Sequence, residues 1–311
     1  MAMTMTIERV MAFMGLDVLV ARDEGLFEAE GLDLRIAALP PDEIRSAAEG
    51  TPSKPATNQG KLQARVAAQM LQALECRNNH RVAESSVGAL QVGRRAMIVC
   101  GALVVPPTST VYAPQELAHK LVALDYGNGT AYAGLQMLEG AMPRETVTTC
   151  AGATSPAERF AGLMRGDFEA TVLQEPWITV AEKSGCRLVS TTFFHGTWVA
   201  TRDVSVDAYA ALLRAITRAV RRINADKRQY VSYFIRDWSG HSEVAALRPD
   251  DFNLGRIQLK EPGPIPENEA RWAWEWMAGW GLIEGAFDVT TQINRSVERE
   301  AHELATALRA V

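Results

Sequence analysis

Residues 25–36, GLFEAEGLDLRI, set two glycines around a Leu-Phe pair and an acidic turn, then run into alternating leucine and isoleucine. Gly25 follows an apolar run, LDVLVARDE, and is suited to end a helix in a left-handed turn. The alternation in LDLRIAA predicts a strand over Leu32–Ala38, and VMAF upstream predicts another over Ile7–Phe13, with a helix over Leu16–Glu24 between them. A strand, a helix and a second strand within forty residues define an α/β unit.

Similar alternation continues downstream. Short apolar runs at Arg95–Cys100, Leu121–Asp125, Thr146–Cys150, Ala170–Leu173, Arg187–Thr191 and Phe193–Ala200 are predicted strands, separated by helical segments. Ser155, Pro156 and Glu158 read as a capping box with proline at the first helical position, so a helix is predicted through Met164. Beyond Ala200 the pattern is almost wholly helical. The order implies a chain that crosses between two lobes near residues 100 and 195, the Pro-rich VVPPTSTV turn serving the first passage. Lobe one is residues 1–100 plus 200–311 and lobe two residues 101–199, and the C-terminal helices pack back on lobe one. A cleft between such lobes is where a small ligand is expected.

Composition excludes several alternatives. The chain has 311 residues, 47% hydrophobic and 22% charged, with a formal net charge of −5, so there is no basic surface for nucleic acid. The densest basic run, RAVRRINADKR, interleaves its charges with Ile216, Val220 and Ile223 at helical spacing and reads as a solvated helix face. No stretch reaches the length of a membrane span. Glu8 and Arg9 interrupt the N-terminal apolar run, so no secretory signal is read and a cytoplasmic location is expected. Cys76, Cys100, Cys150 and Cys186 form no CxxC pair, and none of the five histidines are at helical ligand spacing, so no metal is expected. No cofactor is expected either.

With these elements in place, GLFEAEGLDLRI resembles the G-[FY]-F-x-x-E-G-L-D-V signature of the NMT1/THI5-like and sulfonate/nitrate/taurine-binding proteins. Two further stretches match that group in order: PQELAHKLVALDYGNGTAYAGLQMLEG (114–140) and GDFEATVLQEPW (166–177). The resemblance runs over about residues 5–200 and implies a two-lobed type II periplasmic-binding-protein fold with a helical C-terminal region. It also implies that the Gly-loop Tyr126-Gly127-Asn128-Gly129-Thr130 holds an anionic head group, with Asn128, Gly129 and Thr130 at the ligand. Elementary chemistry points the same way. Glycines admit close backbone approach, and free amides at a helix start favour a carboxylate or sulfonate.

Other candidate ligand contacts are Phe13 and Met14 in the loop after strand one, Asn58 and Gln59 in a polar loop, and Trp177 as a stacking surface. Glu175, at the end of the strand that the resembling family directs to the cleft, and His195, at the second crossing, are candidate acid–base groups. His195 has a second reading as a hinge histidine bonded to backbone. Residues 51–86 depart from the family's short Gly-rich loop and add Cys76 and His80 as candidates, each equally accounted for by an exposed insertion. Trp272, Trp276 and Trp280 recur on one helix face and are assigned to packing.

The expected function is binding of a small organic anion, with lyase-type chemistry, decarboxylase- or desulfinase-like, favoured on this scaffold. The alternatives are the substrate-binding component of an ABC importer, whose partner would be a permease, and a THI5-like pyrimidine-precursor synthase. The Cys-rich signature of that synthase branch is missing, and the loop where the desulfinase branch has its cysteine reads VMAFMG, with no thiol.

Overall fold

The computed structural model describes residues 3–7, 10–36, 81–82, 90–125, 129–153, 155–200, 204–281 and 285–307. Strand β1 (Met3–Ile7) pairs in parallel with β2 (Leu32–Ile36), in register from Met3 opposite Leu32 to Ile7 opposite Ile36. Between them lie α1 (Ala12–Asp23) and the single turn α2 (Leu26–Ala29). Gly25 ends α1 as its sequence foretold, with φ +66 and its N–H donated to the Arg22 carbonyl. The predicted first strand is displaced, because Phe13 and Met14 belong to the first turn of α1. Phe13, Leu16 and Val20 recur at helical spacing, and that period overrides the strand preference of the individual residues.

Two long strands carry the chain between the α/β units. β4 (Leu90–Val105) and β8 (Arg187–Ala200) pair antiparallel from Leu90 opposite Ala200 to Val105 opposite Arg187. The predicted pieces at 95–100, 187–191 and 193–200 are parts of these two strands. The crossings near residues 100 and 195 are the middles of the same strands, where Ile98 faces His195 and Cys100 faces Phe193. The passage is therefore made by paired strand rather than by the VVPPTSTV turn, whose prolines come after β4 has ended.

At one end of the ribbon, β4 pairs with β7 (Ala170–Leu173), β7 with β5 (Leu121–Leu124), and β5 with β6 (Thr148–Ala151). At the other, β8 pairs with β3 (Arg81–Val82), which joins β1. The hydrogen-bonded order is continuous, β2-β1-β3-β8-β4-β7-β5-β6, with β9 (Gln258–Leu259) beside β4.

Helices α3 (Gly129–Glu139), α4 (Pro156–Arg165) and α5 (Trp177–Lys183) accompany the second unit. α4 starts at the proline, as predicted, but the Ser155 side chain makes no capping hydrogen bond. Gly134 of α3 lies against the sheet: a Cβ there would come within 2.6 Å of Leu124 Cδ2 and 2.8 Å of Val172 Cγ2. Gly134→Val is accordingly expected to destabilise the fold by about 1–3 kcal/mol, the usual cost of overpacking, read as a lower urea midpoint at unchanged slope.

The remainder is helical apart from β9: α6 (Val206–Ala225), α7 (Ser232–Asp237), α8 (Ser242–Ala245), α9 (Glu267–Gly279), α10 (Val289–Gln292) and α11 (Arg295–Ala307). The arginines of α6 stitch it to the opening stretch: Arg214 reaches Glu30 at 2.6 Å, Arg218 reaches Glu30 at 3.2 Å, and Arg222 pairs with Glu24. Val297 and Ala301 of α11 share a core with Ile7, Leu16, Val20 and Ile216. α9 goes elsewhere. Its Trp276 and Trp280 indoles donate to Glu139 Oε2 of α3 at 2.5 and 2.8 Å, so this helix packs on the second unit. Trp272, grouped with them by spacing, is 55% exposed.

Candidate functional site

The start of α1, the end of β7 and the C-terminal helices meet at a seam between the two units. Phe13 of α1, Met97 and Cys100 of β4, Glu175 just past β7, Phe234 of α7 and Arg256 line a narrow cavity there, of about 10 Å³. That is room for about one water. Pockets for organic ligands run to hundreds of Å³, so a ligand requires the seam to open further.

The polar groups of the cavity are engaged with one another. Glu175 Oε2 accepts from Thr179 Oγ1 at 2.8 Å and from the Thr179 amide at 3.2 Å, and Oε1 accepts from Arg256 Nη1 at 3.3 Å. Both Arg256 Nη atoms also donate to Glu182 at 2.7 Å. Burial pushes the Glu175 pKa up, opposed by Thr179 and the Arg256 charge. The Cys100 thiol is pushed up to about 11 by burial and by Glu175, so it is protonated at neutral pH and a poor nucleophile.

Two helix starts, one in each α/β unit, differ. At the first, the Ala12 amide of α1 donates to Asp237 Oδ2 at 2.5 Å. At the second, α3 begins at Gly129, shortly after the carboxyl end of β5, which lies between β6 and β7 as a parallel strand. Asp125, buried directly after β5, is held at 3.6 Å by Arg159 of α4. Arg159 also donates to the Val172 and Ala153 carbonyls at 3.2 and 2.5 Å and to Gln174 Oε1 at 3.4 Å. This buried fork fixes the strand end from which the Gly-loop departs.

Of the residues singled out in the sequence, the structure brings together Phe13 and Glu175 in the cavity, and it puts Gly129 and the backbone of Thr130 at the α3 start. Met14 is half-buried and does not line the cavity. Trp177 offers no stacking surface: it is 1% exposed, with its ring against Phe160, Trp238 and His241 at centroid distances of 5.7, 5.8 and 5.3 Å. The α5 start turns it into the core.

His195 lies in the middle of β8 opposite Ile98, on an exposed stretch and outside the cavity lining. Partial burial and then the Arg94 charge lower its pKa, with Glu269 opposing and Lys260 adding to the effect. Asn58, Gln59, Cys76, His80 and Asn128 fall outside the described residues. Sequence reasoning missed Arg256, Phe234 and Asp237, which carry no motif. Cys100 had one signal, as the only cysteine in a strand predicted at the crossing. Among the described residues, no group of three or more His, Cys, Asp or Glu is placed to hold a metal ion.

No family model matches the sequence, and no curated protein is recognisably similar to it. Solved structures are similar over nearly the whole chain. The periplasmic aliphatic sulphonate-binding protein SsuA of Escherichia coli superposes with a TM-score of 0.62 at 13% identity, covering 96% of this chain and 99% of that one. A mutant of the desulfurization enzyme DszB in complex with biphenyl-2-sulfinic acid gives 0.62 at 13% identity, covering 97% and 99%. A Candida albicans gene product with the generic periplasmic-binding-protein fold gives 0.55 at 10% identity, covering 97% and 95%. The chain thus has the two-lobed periplasmic-binding-protein fold that its motifs implied.

Proposed function

We propose that this protein binds a small organic anion of sulfonate or carboxylate type in the cleft between its two α/β units, with the anionic group at the start of α3. The observation that carries this reading is the place of Gly129. It opens an eleven-residue helix beyond the carboxyl end of a parallel strand, where the helix dipole and the first-turn amides favour negative charge. A sulphonate-binding neighbour and one in complex with a sulfinic acid, both of the same fold, support the ligand class.

Isothermal calorimetry with alkane- and arenesulfonates and the matching carboxylates tests the reading. Gly129→Val, which obstructs backbone approach, is expected to weaken binding by roughly tenfold or more, and Thr130→Ala, which removes one hydroxyl, by less than about tenfold. Unchanged affinity in a folded Gly129→Val protein would put the ligand elsewhere.

Binding alone accounts for the described residues of the seam, because Glu175 and Arg256 are bonded to partners of their own. A solute-binding role beside an importer permease asks nothing further of them. Lyase-type chemistry is the second reading, supported by the desulfurization enzyme of like fold. It requires Glu175 to leave Arg256 and act as an acid on opening. Product analysis of sulfinates and carboxylates incubated with the wild type and with Glu175→Gln separates the two: turnover falling by about 10² or more in the variant supports the enzyme, and no wild-type product the binding protein.

A further inference from the structure

We infer that residues 249–279 form a clasp: anchored on the first-unit half of β4, they grip the second unit on both faces of its sheet and hold the seam narrow. The inference concerns how the two units move and does not depend on the binding reading above.

β4 separates the two faces. Cys100, Ala102 and Val104 share a core with α5, whereas Leu103 and Val105 share another with α3 and α9. Side chains alternate along a strand, so α5 lies on one side of the sheet and α3 and α9 on the other. On the α5 side, Asp251 accepts from Lys183 Nζ at 2.6 Å, and both Nη atoms of Arg256 donate to Glu182 at 2.7 Å. The chain then enters β9. β8 fills one edge of β4, and β9 and β7 share the other, with Leu259 opposite Met97 and Leu173 opposite Ala102.

The middle of the stretch is fastened to the first unit. The Lys260 amide donates to the Ala96 carbonyl at 2.9 Å, and the Arg94 amide to the Gly263 carbonyl at 2.7 Å. Ile265 donates its amide to Glu298 Oε1 of α11 at 2.6 Å. Val92 and Ala96 of β4 share the core of Ile7 and Leu16, so these anchors belong to the opening unit.

After Pro266 the chain runs into α9, whose 13 residues span about 20 Å. Its first turn is tied to β4 by the Glu269–Arg94 ion pair. Its last turns hold the second unit through the Trp276 and Trp280 indoles on Glu139, with the Arg144 guanidinium 4.5 Å from the Trp280 ring centroid. One helix thus touches both units, and the clasp makes a third connection beside β4 and β8.

The two grips are unequal. Arg256 and Glu175 are 11% and 4% exposed, and separating such a buried pair is costly. Arg144 and Glu139 are 38% and 27% exposed, where ion pairs contribute little. Widening of the seam therefore lifts α9 from α3 first, with the α5 grip as the pivot.

Small-angle X-ray scattering of the full chain tests the clasp without a ligand. An insertion of about eight alternating glycines and serines between Pro266 and Glu267 gives the strap roughly 15 Å of slack and leaves the side chains of both grips unchanged. Glu139→Ala releases α9 from α3. Each is expected to raise the radius of gyration by about 1 Å over the roughly 20 Å of a compact chain of this length, with a cooperative urea transition retained. A helix that merely packs on α3 is indifferent to slack at its start. The same insertion after Gly240, in an exposed turn outside the clasp, is expected to leave the radius at the wild-type value. A Pro266 insertion variant that keeps the wild-type radius overturns the inference, whether or not Glu139→Ala folds. So does a folded Glu139→Ala protein of unchanged radius, or an equal rise on insertion after Gly240.

Discussion

Arg159→Ala is expected to lower the unfolding free energy by about 3–5 kcal/mol, the range observed when one partner of a buried ion pair is removed. The side chain is fully buried in α4, with Asp125 at 3.6 Å and equally buried. Burial lowers the Arg159 pKa, and Asp125 and then Glu158 oppose the shift. Truncation leaves a carboxylate in the interior without this counter-charge and withdraws donors from the Val172 and Ala153 carbonyls. Arg159→Lys is expected to rescue little, because one ammonium cannot reproduce the planar fork that reaches these acceptors at once. Against a typical total of about 5–15 kcal/mol the loss is large, and urea denaturation measures it directly. A cost below about 1 kcal/mol would show that Asp125 finds another partner.

The second large effect concerns Asp17 of α1 and Arg95 of β4, both buried, with the Arg95 guanidinium 5.0 Å from the centroid of the Trp198 ring. Among the described residues neither Asp17 oxygen, nor Arg95 Nε or Nη2, has a hydrogen-bond partner. Burial raises the Asp17 pKa, with Arg95 opposing, and burial lowers Arg95 to about 10, with Asp17 opposing. Asp17→Leu and Arg95→Met are each expected to cost about 3–5 kcal/mol, because each strands the other charge. The double variant is expected near the wild type or up to about 4 kcal/mol more stable.

The pH dependence has a definite sign. The folded-state pKa of Asp17 lies above its ordinary 3.8, so the stability linked to its protonation is fully present below that value and is lost as pH rises through the raised one. Stability of the double variant relative to the wild type should therefore improve as pH rises from about 4 through that window. Costs of the two single variants that simply add in the double would show that the groups are not coupled.

The parts of the fold legible in the sequence are those encoded by neighbouring residues. Gly25 adopts the left-handed turn its position foretold, Leu26 and Phe27 are buried after it, and Ala170–Leu173 is a strand at the predicted bounds. β1 was misplaced because the apolar run Val10–Phe13 favours a strand residue by residue, whereas the spacing of Phe13, Leu16 and Val20 favours a helix. The length of β4 and β8 was hidden for another reason. β4 is buried on both faces from Cys100 to Val105, so its alternation disappears, and Gly101 reads as a break.

The candidate site was legible at α3, where the Gly-loop precedes a helix, and at Phe13 and Glu175, which end their segments near the seam. It was illegible at Arg256 and Asp237. Each acts on a residue far away in sequence, and nothing local marks either one. The direction of Trp177 was illegible too, since it depends on packing against Phe160, Trp238 and His241.

The shared core of Ile7, Leu16 and Val20 with Ile216, Val297 and Ala301 also has a consequence for synthesis on the ribosome. The opening unit leaves the tunnel long before the helices that cover it exist. At about 5–20 residues per second, the wait is on the order of ten to fifty seconds, during which its apolar face stays open to solvent and to other nascent chains. The second unit, whose strands β5 to β7 and helices α3 and α4 are contiguous in sequence, completes itself earlier and provides a folded body on which the rest assembles. Holdase chaperones would therefore meet this protein chiefly through its first forty residues.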